Sequence, residues 1–126
     1  MSKEVIYAPT APEPIGPYSQ AIRHGHMLFL SGQVAIDRAT GNTVTTNITD
    51  ETYQVMKNLQ AVLAAAGMDF SHVVKTTIFL KDMNNFSKVN EVYGSYFTHQ
   101  PPARETVEVS RLPKDVNVEI SCIAVK

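Results

Sequence analysis

Apolar residues recur along this chain with two periods, one suited to helices and one to strands. Between Asp50 and Ala66, the residues Val55, Met56, Leu59, Val62, Leu63 and Ala66 fall on one stripe at helical spacing, which predicts an amphipathic helix. Asp50 and Glu51 suit its positive end and Gly67 supplies a left-handed stop. Gln54, Lys57, Asn58 and Gln60 form a face suited to solvent. A second helix is predicted from about Asn84 to Thr98, with Asp82 as its cap. Its buried stripe is Phe86, Val89, Val92, Tyr93, Tyr96 and Phe97, and Pro101 and Pro102 prevent continuation.

Strands are predicted at Lys3 to Tyr7, Ser19 to Arg23, Met27 to Val34, Val73 to Leu80, Glu105 to Val109 and Val116 to Val125. Ala8 to Pro17 holds four of the seven prolines and reads as an extended connection, because proline gives no amide hydrogen to a ladder. Asp37 to Asn47, rich in Thr, Gly and Asn, reads as a loop. The order β, β, β, α, β, α, β, β predicts an α+β layer with both helices on one face of a sheet. In the last strand Val116, Val118, Ile120, Cys122 and Ala124 share the face under the helices. Asn117, Glu119, Ser121, Ile123 and Val125 share the other, and its apolar end is a candidate subunit interface.

Composition narrows the class. At 126 residues, 44% hydrophobic and 18% charged, the chain is expected to be one domain (1–126) of an ordinary soluble protein. A net charge of −1 gives no bulk attraction to nucleic acid or an anionic membrane. The single cysteine, Cys122, the absence of a basic-then-apolar leader and the absence of a membrane-length apolar run give cytoplasmic as the expected location.

Candidate chemistry concentrates in the last quarter. Arg104 follows Pro101-Pro102-Ala103, and Glu119 lies in Val116-Asn117-Val118-Glu119-Ile120-Ser121, on what read as neighbouring strands joined by the turn Leu112-Pro113-Lys114-Asp115. Arg104, Thr106 and Glu108 form one polar set and Asn117, Glu119 and Ser121 another on what read as adjacent strands, and alternation alone does not fix whether the two share a sheet face. By pattern alone Arg104 and Glu119 read as a surface ion pair, which contributes little. His24 and His26 flank a turn glycine without a third ligand nearby, so they do not read as a metal site. Gly32 belongs to no phosphate-binding loop.

Further blocks change the weighting. Ile15-Gly16-Pro17-Tyr18-Ser19-Gln20-Ala21, Ser31-Gly32-Gln33, Val74 through Asp82, Val89-Asn90-Glu91-Val92-Tyr93, Pro102-Ala103-Arg104 and Val107 through Asp115 with Val118-Glu119-Ile120 together resemble the signature of the RidA (YjgF/YER057c/UK114) family, in order and with the expected spacing. The resemblance implies a chorismate-mutase-like α+β fold: a six-stranded, mainly antiparallel sheet with two helices on one face, assembled as a trimeric barrel with sites between subunits. It implies hydrolysis of reactive enamines and imines, such as 2-aminoacrylate and 2-iminobutanoate, to 2-keto acids and ammonia. The implied functional link is to pyridoxal-phosphate-dependent dehydratases, and no cofactor or metal of the chain's own is implied.

Carried over by position, the resemblance makes Arg104 the carboxylate-binding group and Glu119 the residue that orients or deprotonates the attacking water. Tyr18, Ser31 and Asn90 become cleft-lining polar residues. Thr106 stands in the substrate pocket where many members have cysteine, and Glu105 stands where a small or apolar residue is usual. A planar, permanently charged guanidinium suits two parallel bonds to a carboxylate, and a carboxylate one hydrogen bond from water suits general base work. The alternatives are a regulatory protein that senses a small keto or amino acid in the same intersubunit cleft, and an RNA-directed activity, which the near-neutral charge opposes.

Overall fold

The computed structural model describes residues 2–126. Its strands are β1 (Glu4–Ile6), β2 (Ala21–His24), β3 (Met27–Gln33), β4 (Val73–Leu80), β5 (Ala103–Glu108) and β6 (Val118–Val125). The helices are α1 (Ile48–Ala65) and α2 (Phe86–Tyr96), and short 3₁₀ turns sit at Phe70–His72, Met83–Asn85 and Pro113–Asp115. The strands form one sheet in the order β1-β2-β3-β6-β4-β5. Every neighbouring pair is antiparallel except β4 and β5. That parallel pair is joined by the Met83–Asn85 turn and α2, the long crossover that parallel neighbours require.

Both helices pack on one face, as the apolar periods predict. Val55, Met56, Leu59, Val62 and Leu63 of α1, with Val89, Val92 and Tyr93 of α2, meet Leu28, Leu30, Ile78, Leu80, Val118 and Ile120 of the sheet in one buried cluster. Cys122 fills space in the same layer, and burial pushes its thiol up to about 12. The other face carries Val5, Met27, Phe29, Val107 and Val125 exposed.

The start of α1 differs from expectation. Asn47 is the cap: its side chain accepts from the Asp50 N–H at 2.8 Å, so the helix begins two residues before the predicted start at Asp50. Asn58, expected to face solvent, is 2% exposed. Its amide donates to the carbonyls of Val34 (2.9 Å) and Ile36 (3.0 Å), tying the segment after β3 to the helix. Asp82 caps the Met83–Asn85 turn that leads into α2 rather than α2 itself. At the other end of α1, Gly67 has the left-handed φ of 73° that the stop requires.

The neighbouring-strand expectation for Arg104 and Glu119 is wrong. β4 lies between β5 and β6, because the α2 crossover has already placed β5 against β4. Register also separates the faces. Arg104 lies opposite Thr76, which lies opposite Cys122, all on the helix side. Glu119 lies opposite Phe79, which lies opposite Val107, all on the open side. The two polar sets, whose register alternation left open, therefore point to opposite faces, and no Arg104–Glu119 bridge forms.

Candidate functional site

Two clefts divide the predicted site residues. The first, of about 640 Å³, lies between α2 and the start of β5 and is bordered by Asn90, Tyr93, Gly94, Phe97, Pro102 and Arg104. Arg104 Nη1 donates to Asn90 Oδ1 at 2.6 Å. Its Cζ sits 5.6 Å from the Phe86 ring centre and 5.1 Å from that of Tyr93, within the range of cation–π attraction. The Tyr93 hydroxyl is hydrogen-bonded to the buried Thr76 hydroxyl at 2.7 Å, and burial pushes the phenol above its ordinary value. Among the described residues, no carboxylate pairs with Arg104.

The second cleft, of about 360 Å³, is bordered by Tyr18, Ser31, Gly32, Lys114 and Glu119, with Ile15 on its apolar side. Glu119 is half-buried and has no hydrogen-bond or ion-pair partner among the described residues. Burial alone pushes its carboxyl above the ordinary glutamate value of 4.5. Gly32 makes this position possible. A Cβ added there would stand 2.9 Å from the Glu119 carboxyl carbon, closer than side chains pack. The β3–β6 register shifts between Leu30 and Gln33, and Gly32 lies in that irregular stretch beneath the carboxylate.

Buried amide chemistry shapes the rest of this cleft. Gln20, 2% exposed, accepts from the Ala8 N–H at 2.6 Å and donates to the carbonyls of Ala8 (3.1 Å) and Pro12 (2.9 Å). The proline-rich segment, which has little hydrogen bonding of its own, is thereby held as a wall. Arg38 adds a bond to the Ala11 carbonyl at 2.8 Å and an ion pair to Glu13 at 2.9 Å. Ser31 Oγ donates to the Ser19 carbonyl at 2.6 Å, leaving its lone pairs for another donor. Tyr18 is 49% exposed at the mouth.

Glu51 anchors the opposite wall. Wholly buried, its carboxylate accepts from the Asn117 N–H (2.7 Å), the Asn117 side-chain amide (2.8 Å) and the Val118 N–H (3.3 Å). Its expected role as a helix-end charge is thus a smaller part of what it does. The segment it holds follows Lys114 and Asp115, both in the left-handed region at φ 56° and 54°. Such residues are strained by about 1–2 kcal/mol each. The Lys81–Asp115 ion pair at 2.8 Å and the Glu51 bonds hold the segment in place.

Of the residues predicted for the site, Tyr18, Ser31 and Glu119 come together in one cleft, and Asn90 and Arg104 in the other. Thr106 lies on the helix side, opposite Ile78, and its buried hydroxyl has no partner among the described residues. Glu105 lies on the open side, bonded to Lys75 (3.1 Å) and Thr77 (3.1 Å). Gly32, Gln20 and Glu51 were not anticipated in these roles. An isolated glycine inside a strand pattern is a signal for a bulge or close approach, and it identifies Gly32. Among the described residues, no three His, Cys, Asp or Glu side chains are grouped to hold a metal ion. Nor, among the described residues, is any helix long and apolar enough to cross a membrane.

The sequence profile described as Endoribonuclease L-PSP matches residues 8–126. A RutC family protein of Pyrococcus horikoshii is 56% identical over 124 residues, covering 98% of both chains. The mouse protein named 2-iminobutanoate/2-iminopropanoate deaminase is 46% identical over 124 residues, covering 98% of this chain and 92% of its own. The crystal structure of E. coli TdcF with bound serine superposes with a TM-score of 0.92 at 40% identity, covering 98% of each chain.

Proposed function

The chain belongs to the RidA (YjgF/YER057c/UK114) family, and from that premise we propose that it hydrolyses small 2-imino acids, and the enamines that tautomerise to them, at a site shared between two protomers of a cytoplasmic homotrimer. The observation that carries the reading is that neither charged group is neutralised. Arg104 has no carboxylate partner and Glu119 no cation among the described residues, and each opens into a cleft that lacks the other. The exposed apolar side of the sheet offers the surface on which protomers would meet.

In the proposed reaction Arg104 of one protomer takes the substrate carboxylate, with Asn90 holding one edge of the guanidinium. Glu119 of the neighbour, with Tyr18 and Ser31, holds a water against the imine carbon. Glu119 removes a proton as the water oxygen bonds to that carbon and the C=N π pair moves to nitrogen. On the protonated imine this gives a carbinolamine; Glu119 returns its proton to the nitrogen, then takes the hydroxyl proton as the oxygen lone pair closes the C=O bond and the C–N bond breaks, giving the 2-keto acid and ammonia. Positioning and one proton transfer supply the rate. The substrates suit the products of dehydratases that eliminate water from hydroxy amino acids.

The test generates 2-iminobutanoate with an amino-acid oxidase, traps it with semicarbazide, and asks whether the protein lowers the trapped yield. Mixing Arg104→Ala and Glu119→Gln protomers tests the sharing. In a random equal mixture of a cyclic trimer, roughly a quarter of sites combine an intact Arg104 with an intact Glu119 from the next protomer. Activity recovered on mixing supports the shared site, and none recovered from two individually inactive variants overturns it.

A second reading is favoured by the serine held in the solved E. coli relative: the same cleft would bind a small amino or keto acid as a signal. That reading predicts that Glu119→Gln keeps binding, and that no imine is turned over by the unmodified protein. The endoribonuclease description of the family profile predicts salt-dependent RNA affinity, for which a net charge of −1 gives no bulk field.

A further inference from the structure

Phe86, Asn90 and Tyr93 stand at i, i+4 and i+7 of α2, a spacing that lines them along one side of the helix. Arg104, on β5, meets all of them: a ring, an amide oxygen and a second ring. We propose that Phe86 and Tyr93 are positioning residues, a two-ring clamp that fixes the plane of the Arg104 guanidinium so that the edge left free by Asn90 faces an incoming carboxylate. This rests on the reading that Arg104 binds the substrate carboxylate, and it adds what sets the orientation of that group.

Three observations carry the clamp. First, the guanidinium carbon is within 6 Å of both ring centres, the distance at which a cation is held by a ring quadrupole. Second, the Tyr93 ring is itself fixed. It is 5% exposed, it packs against Phe97 at 4.7 Å between ring centres, and its hydroxyl is bonded to Thr76. Thr76 is the residue directly opposite Arg104 in the sheet, so ring and arginine share one strand pair as their base. Third, among the described residues the one hydrogen bond of the Arg104 side chain uses Nη1 alone, leaving donors for a bidentate partner. An exposed arginine ordinarily samples many rotamers, and binding an anion then includes the entropy of ordering it. Two rings and an amide remove part of that loss before the anion arrives. Burial also keeps Tyr93 protonated, so the ring meets the cation as a neutral face.

The experiment measures KM and kcat for 2-iminobutanoate, and binding of 2-oxobutanoate, in Phe86→Leu, Tyr93→Leu and Tyr93→Phe. Each leucine variant is expected to raise KM and weaken 2-oxobutanoate by about fivefold with kcat little changed, and Tyr93→Phe, which keeps the ring, to recover most of the affinity. Phe86→Leu added to Arg104→Ala should lower kcat/KM no further, because the clamp acts only through the guanidinium. Phe86 is only partly buried, so its variant decides the matter if Tyr93→Leu fails to fold. An unchanged KM in folded Phe86→Leu, or a full loss from Phe86→Leu in the Arg104→Ala background, overturns the clamp. If Arg104→Ala itself leaves 2-oxobutanoate affinity unchanged, the carboxylate reading and the clamp both fall. If Arg104→Ala removes that affinity while the ring variants keep theirs, the clamp alone falls.

Discussion

Around Arg104 the chain surrounds a charge with side chains, two rings and an amide from one helix. Around Glu119 it clears space, leaving out a side chain at Gly32 and giving the carboxylate no partner among the described residues. A cation held by contacts is oriented in advance, and losing one contact weakens it by degrees. A carboxylate held in a gap keeps its lone pairs for water and a raised proton affinity, and it fails when the gap is filled. The difference suits the two proposed roles, one fixed for binding and one kept reactive.

The largest expected effect breaks the reactive half. Glu119→Gln should lower kcat by about 10²–10⁴, the usual worth of a positioned proton acceptor. In the unmodified protein kcat/KM should rise with pH and inflect above 4.5, because only the ionised carboxylate accepts a proton and burial raises its pKa; the variant should lose that limb. The sign of the stability effect follows from linkage. The folded state holds the Glu119 proton more tightly than the unfolded chain, so its contribution is most favourable below the ordinary value and diminishes as pH rises through the folded pKa. Urea midpoints compared between pH 4 and pH 8 should therefore favour Glu119→Gln over the unmodified protein at the higher pH.

Arg104→Ala comes next, with kcat/KM expected to fall by about 100-fold through loss of charge-assisted bonds. The side chain is exposed, so losing its two ring contacts and the Asn90 bond should lower stability only modestly, by about 1 kcal/mol in urea unfolding. Gly32→Ala sharpens the contrast: turnover should fall about tenfold or more as the Glu119 carboxyl is displaced, with little stability lost, because the atoms nearest the added Cβ belong to the Glu119 side chain and not to backbone. Full activity in that variant would show that the carboxylate does not depend on the gap. Thr106→Val is the smallest. Removing a buried hydroxyl without a partner should leave turnover within about twofold and raise stability by about 1 kcal/mol. A clear rise in KM instead would place substrate against Thr106.

Local pattern carried the elements and the buried stripes. The alternation of β6 separated Val118, Ile120, Cys122 and Ala124 from Glu119 and Ser121 correctly, because a strand has a period of two wherever it sits. It could not say which strand lies beside it. A short turn between β5 and β6 reads as a hairpin, but the α2 crossover had already paired β5 with β4, a contact set by packing far along the chain. The residue types at Arg104, Glu119, Tyr18, Ser31 and Asn90 were legible through resemblance, and their division into two clefts was not. Glu51 was hidden for a related reason. At a helix start a carboxylate is explained locally by the dipole, while its partners lie 66 and 67 positions away.

That buried carboxylate has a consequence for motion. Asn117 and Val118 donate their amide hydrogens to the Glu51 carboxylate in the first turn of α1, which ties the wall beside Glu119 to that helix end. The two are expected to open together, as one cooperative unit. Their amides should exchange with deuterium as slowly as those of the early α1 turns, which would leave the substrate to enter past Tyr18 and the proline-rich wall rather than through this side.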